Sequence, residues 1–281
     1  MGKIIAVCNQ KGGVGKTTTV VNLGYYLAHK GKNVLIIDLD PQANATSGMG
    51  LDKSKIEKSI YDVLINNLKL SEAMQEVYPV RKVTLSNGVN MPQLKLIPSN
   101  IHLTGAEIEL VSFMNREYRL KQALKDIVND FDFILIDSPP SLGILTINSL
   151  TACSSVLIPI QCEYYALEGL SQLLSTVNLI RENLNKDLEI QGVLLTMADY
   201  RTNLTSEIID EVKRFFKEKV FKTIIPRSIK LSEAPGFGKP IHLYDKHSIG
   251  AKMYLSLANE ILGEAISEDI NQLSMQQTII E

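Results

Sequence analysis

Cys8 to Leu23 read CNQKGGVGKTTTVVNL, and this stretch decides how the rest of the 281-residue chain is read. Gly12, Gly13 and Gly15 fall close together around Val14 and are followed at once by Lys16, Thr17 and Thr18. An apolar run, KIIAV, precedes the glycines, and an amphipathic pattern, TTTVVNLGYYLAHKG, follows them. Strand, glycine-rich turn, Lys-Thr and helix in that order are the context a phosphate-binding loop requires. The glycines let the backbone curl until successive amide N–H groups face inward, and the helix N-terminus adds its positive end. Lys16 is then placed to reach β and γ phosphates, and Thr17 to offer its hydroxyl to Mg2+. A second lysine, Lys11, stands ahead of the glycines, where a phosphate loop as such has no use for it.

Working outward, short runs rich in Val and Ile recur between helical patterns: KIIAV, NVLIID, LKLIP, FDFILID, SVLIPI, IQGVLLT and VFKTIIP. Continuously apolar strands alternating with helices predict an α/β fold, a single doubly wound, mostly parallel sheet with helices on both faces. No repeat, low-complexity tract or linker divides the chain, so residues 1–262 read as one domain. Within it, VRKVTLSNGVNMPQLKLIP carries the turn chemistry of Asn87-Gly88 between alternating apolar positions, predicting a β-hairpin decoration near 80–97. Residues 263–281 form an acidic tail or terminal helix, with Ile266, Ile270 and Leu273 at helical spacing.

Two apolar runs end in acids: LIIDLDPQ carries Asp38 and Asp40, and FILIDSPPS carries Asp137. The carboxyl ends of parallel strands are where open α/β sheets bind ligands. Asp137 reads as a second Mg2+-linked acid acting through water, since Mg2+ keeps much of its hydration shell. A strand-end aspartate can equally cap the helix that follows.

The composition limits the alternatives. Hydrophobic residues make up 45% of the chain, enough for a substantial core and too many for default disorder. No run of eighteen apolar residues occurs, and the first residues show a strand pattern where a secretory signal needs a basic region and a longer apolar block. The expectation is a soluble, cytoplasmic protein. Cys8, Cys153 and Cys162 match no zinc or disulfide spacing and read as buried small hydrophobes. The net charge of −2 hides a polarised C-terminal third: residues 201–252 hold eleven Lys/Arg against six Asp/Glu, and 253–281 hold none against five. A local basic region of this kind points to a polyanionic partner.

With Lys11 included, the loop reads KGGVGKTT, which resembles the deviant Walker A motif of the ParA/MinD ATPases. The blocks DLDPQANATSG, GAEIEL, DSPPSLGILTINSL, PIQCEYYALEGLSQLL and RSIKLSEAPGFGKPI are similar to the ParA/Soj branch, which partitions chromosomes and plasmids. The likeness runs from about Lys3 to Leu262. It implies an ATPase that uses ATP and Mg2+, works as an ATP-dependent sandwich homodimer, and carries Lys11, Lys16 and Asp40 as its catalytic residues. In that dimer Lys11 would cross to the partner's nucleotide while Lys16 serves its own. Asp40 would orient the attacking water, and Asp38 would support the Mg2+ shell beside Thr17 and Asp137. Gly12 to Thr18 would bind the phosphates. Pro226 and Ser228 would face the adenine, although relatives usually have Asn at the second position.

The resemblance further implies nonspecific, nucleoid-associated DNA binding and a ParB-type partner that stimulates hydrolysis. Arg201 in DYRTNL and Lys230 in SIKLSEAP match the blocks implicated in DNA binding, with Lys230 standing where relatives often have Arg. A phosphate contact tolerates that exchange because it needs a point charge. Nearby, TSEIIDEVKRFFKEKV predicts an amphipathic helix with Ile208, Ile209, Val212, Phe215 and Phe216 buried and five Lys/Arg from Lys213 to Lys222 on or beside its polar face, which can equally be a solvated surface.

Two other functions share such a fold. A MinD-like regulator docks on membrane through a basic amphipathic C-terminal helix, but no Lys or Arg follows Lys252, so no membrane partner is expected. An iron-protein-like reductase bridges a cluster between subunits through cysteines, and the three here lack that pattern.

Overall fold

The aliphatic runs become strands because both faces of the sheet they form are covered. The computed structural model describes residues 2–78, 83–85, 88–90, 92–163 and 170–265. In chain order the strands are β1 (Lys3–Val7), β2 (Val34–Asp38), β3 (Gln75–Glu76), β4 (Val83–Leu85), β5 (Gly88–Asn90), β6 (Leu94–Ile97), β7 (Phe133–Asp137), β8 (Ser155–Gln161), β9 (Glu189–Ala198) and β10 (Val220–Pro226). Eight of them make one sheet in the order β10-β9-β8-β1-β7-β2-β6-β3. Every pairing in it is parallel except that of β3, which runs antiparallel to β6.

Alternation along each strand feeds two separate cores. Ile4, Ala6 and Cys8 join Leu35 and Ile37 on one face, while Ile5 and Val7 join Val34 and Ile36 on the other. The first face is covered by helices including Ile60–Asn66, Ile144–Ala152 and Asn203–Phe216, the second by Lys16–His29 and Ile249–Leu262. β1 lies between β7 and β8, and the chain winds to β2 on one side and to β9 and β10 on the other. The crevice of an open α/β sheet forms at such a reversal, at the carboxyl ends of the strands. The phosphate-loop sequence leaves β1 there.

Three details differ from the sequence reading. β3, only two residues long and polar, carries no strand signal and was not expected. β4 and β5 pair antiparallel with Leu85 opposite Gly88, so Gly88 belongs to a strand; residues 86 and 87 lie outside the described residues, and Leu94–Ile97 joins the main sheet. Phe215, expected in the buried stripe, is 62% exposed, whereas Ile208, Ile209, Val212 and Phe216 are buried. Phe216 continues the inward row from Ile208 and Val212 at four-residue spacing, which leaves its neighbour about 100° round the helix. The last helix ends at Leu262 and is capped by Gly263, whose φ of +71° lies in the left-handed region; of the tail expected over 263–281, residues 266–281 fall outside the described residues.

Candidate functional site

The loop after β1 is anchored at both ends. Asn9 donates from Nδ2 to the Pro159 carbonyl at 2.7 Å and accepts the Lys11 amide at Oδ1 at 3.0 Å, tying the entry of the loop to β8. At the exit, the Val14 carbonyl accepts the Thr196 hydroxyl at 3.0 Å, tying it to β9. Gly13 and Gly15 take φ of +74° and +88°, which side chains other than glycine rarely adopt. The helix Lys16–His29 then starts with its first amides directed at the loop. Lys16 is 6% exposed and donates from Nζ to the Lys11 carbonyl at 3.2 Å, so its ammonium lies folded over the loop. Burial lowers its pKa below the ordinary lysine range, opposed chiefly by Asp137.

The acids gather beside it. Asp38 and Asp137 close adjacent strands in direct register, and both are fully buried. Burial raises each above the carboxylate range, Asp38 to about 6, and for Asp137 the charge of Asp38 adds to the rise. Asp137 accepts the Thr17 hydroxyl at 2.7 Å on Oδ2, while its buried Oδ1 has no partner among the described residues. Asp38 is instead saturated: Oδ2 accepts both the amide and the hydroxyl of Thr46 at 2.7 Å, and Oδ1 accepts the Asp40 amide at 3.2 Å. Asp40 is 7% exposed and caps the following turn by accepting the Gln42 amide at 2.9 Å.

These residues fit a magnesium nucleotide. The Thr17 hydroxyl and the orphaned Asp137 oxygen are hard oxygen donors, and a divalent cation would relieve the repulsion between Asp137 and the neighbouring buried Asp38. Among the described residues no group of three or more His, Cys, Asp or Glu could by itself hold a metal ion.

Beside the loop opens a cavity of about 470 Å3, lined by Gly15 and Thr18 on one side and Pro226 and Ser228 on the other. The Ser228 hydroxyl is buried without a partner among the described residues. Sequence reasoning missed Thr196, Met197, Leu231 and Tyr254, which also line the cavity. Met197 holds φ of +52°, and Tyr254 meets the Thr19 hydroxyl at 3.2 Å from the last helix. Neither feature has a signal in the sequence.

Arg201 and Lys230 stand on the surface, each beside an acid of its own chain. Arg201 grips Asp199 through Nε and Nη2, both at 2.8 Å, and this bond holds Asp199 down at about 2. Lys230 lies 3.4 Å from Glu233 and 5.7 Å above the Tyr244 ring. The cysteines are all buried and unbridged; burial pushes Cys8 up to about 11 and Cys162 up to about 12, and raises Cys153 too.

A phosphate loop on the central strand, a buried lysine folded over it and acids at the neighbouring strand ends define a P-loop nucleotide-binding protein. Residues 2–190 match the family described as an AAA domain. The sporulation initiation inhibitor protein Soj of Bacillus subtilis is 57% identical over 93% of this chain and 98% of its own length. The chromosome partitioning protein ParA of Myxococcus xanthus is 48% identical over 93% of this chain and 88% of its own. The chain therefore belongs to the ParA/Soj family of chromosome-partitioning ATPases. Among solved structures, the cobyrinic acid a,c-diamide synthase of Mycobacterium smegmatis with bound ADP and magnesium superposes with a TM-score of 0.78 at 37% identity, covering 93% of this chain and 94% of that one. MinD of Pyrococcus horikoshii, at 22% identity with a TM-score of 0.72 over 93% of this chain and 96% of its own, shares the fold.

Proposed function

We propose that this chain is a DNA-partitioning ATPase that binds ATP with Mg2+, closes into a sandwich dimer on ATP, binds DNA nonspecifically as that dimer, and releases it on hydrolysis stimulated by a ParB-type partner. The observation that carries the reading is the loop itself, with Lys16 folded over it, Thr17 on Asp137, and a second lysine at its entry. The 57% identity to a Soj protein and the basic segment 201–252 support the partitioning role.

The residues divide the work. Loop amides from Gly12 to Thr18 and the Lys16 ammonium hold the β and γ phosphates, and Pro226 and Ser228 wall the base cavity. Thr17 and Asp137 would hold Mg2+, which when bound neutralises phosphate charge. Asp40 orients the attacking water, positioned by a turn that Asp38 pins through the Asp40 amide and Thr46; Asp38 thus supports the metal shell indirectly. Phosphoryl transfer needs positioning and charge neutralisation more than covalent chemistry, so a lysine supplied by the partner, Lys11, couples assembly to the nucleotide. No helix among the described residues is long and apolar enough to cross a membrane, and Arg201 and Lys230 are read as DNA phosphate contacts.

Sedimentation of the purified protein with ATP, ADP or no nucleotide tests this. Dimers with ATP alone, persisting in Asp40→Ala because hydrolysis is blocked, support the reading. A monomer in all three states, or normal hydrolysis by Asp40→Ala, overturns it.

A further inference from the structure

The Lys11 ammonium is not idle in the single subunit. It lies 3.5 Å from Oε2 of Glu163, two residues beyond the end of β8. Both partners are held in place by that same strand. Asn9 joins the Lys11 amide to the Pro159 carbonyl, and Gln161 donates from Nε2 to Oε1 of Glu163 at 2.5 Å, leaving Oε2 for the lysine. The Glu163 amide, bonded back to the Gln161 carbonyl at 2.8 Å, closes the turn that aims the carboxylate.

We propose that Glu163 is a positioning residue that parks Lys11 inside its own subunit, so that dimer closure must first break the Lys11–Glu163 pair. This rests on the reading above that Lys11 crosses to the partner's phosphates. The ammonium lies against Glu163 in its own subunit, and swinging it out to phosphates in another subunit would take it away from that carboxylate. The pair sets a threshold: a triphosphate across the interface competes for the ammonium with more charge than a diphosphate offers, so parking favours closure on ATP over closure on ADP.

The size of the effect follows from exposure. The side chains are 35% and 48% exposed, so the pair is solvent-screened and worth about a 1.4- to 5-fold preference. A symmetric dimer breaks two such pairs, which squares the factor to roughly 2- to 25-fold in dimer affinity. That is large enough to tune assembly and small enough to be overcome by a nucleotide.

The test is the midpoint of ATP-dependent dimerisation, measured by sedimentation over a protein concentration series for wild type, Glu163→Gln, Glu163→Asp and Lys11→Ala. Glu163→Gln is expected to dimerise at about tenfold lower concentration and to dimerise measurably with ADP, while Glu163→Asp stays near wild type. The gap between wild type and Glu163→Gln should shrink as salt is raised, because an exposed pair is screened. A merely structural role would produce neither the charge-specific rescue nor the salt dependence. An unchanged midpoint, weaker dimerisation, or loss of ATP binding by the Glu163→Gln monomer overturns the proposal. If Lys11→Ala dimerises like wild type, the crossing of Lys11 itself is wrong, an outcome distinct from failure at Glu163.

Discussion

Thr17 donates its hydroxyl to Oδ2 of Asp137 at 2.7 Å, while the other oxygen of that buried carboxylate has no partner among the described residues. The bond joins the first turn of the phosphate-loop helix to the end of β7. A carboxylate buried with half its acceptors unused is costly unless a cation completes it. Thr17→Ala and Asp137→Asn should therefore each lower ATP hydrolysis by about 10- to 100-fold at limiting Mg2+. A magnesium titration of hydrolysis checks this, and a variant that keeps the wild-type magnesium dependence would separate that residue from the metal.

Gly12→Val should leave the subunit intact and stop dimer closure. A Cβ at Gly12 meets nothing within 4 Å of its own chain, so the added bulk points into open space. Unfolding stability should stay within about 0.5 kcal/mol of wild type, as for other surface changes. Nucleotide binding should persist and the sedimentation shift on ATP should vanish. A large loss of stability would mean that the loop itself cannot accept the side chain.

Gly250→Ala should weaken both the fold and the cavity beside the loop. The new Cβ would lie 2.6 Å from Cγ of Leu231, and Leu231 also lines the cavity beside the loop. Overpacking of this kind costs about 1–3 kcal/mol. Thermal unfolding with and without ATP reports both effects, since a ligand bound only by the native state raises the midpoint. The midpoint should fall without ATP, and the ATP-induced rise should shrink.

Arg201→Glu should abolish DNA binding while ATP-dependent dimerisation survives. Arg201 is 51% exposed at its side chain and bonds to Asp199, so little packing is lost. The reversal places two acids side by side at the surface. Loss of dimerisation together with DNA binding would show that the Arg201–Asp199 pair is structural.

Much of this was legible because the physics is local. KIIAV and FILID are buried on both faces, so their apolar continuity marks the central strands, and the glycines with Lys16 and Thr17 mark the loop between strand and helix. Pro226 and Ser228 line a cavity beside the loop. What stayed hidden depends on distant contacts. Tyr254 reaches Thr19 across 235 positions, Asp38 is saturated by Thr46, and Glu163 meets Lys11 only because β8 lies beside β1. β3 has two polar residues and pairs only through its backbone with β6, which leaves no side-chain pattern to read. Asp199 beside Arg201 could have been noticed, since an acid two residues away can reach back across a turn.

In the proposed cycle the nucleotide governs DNA binding. It is tested most directly by binding of the purified protein to nonspecific duplex DNA with ATP, ADP and no nucleotide across a salt series. Binding is expected with ATP alone and should fall steeply as salt rises, the mark of counterion release from the phosphate backbone. Equal binding in all three states, or binding to anionic lipid vesicles with none to DNA, would contradict it.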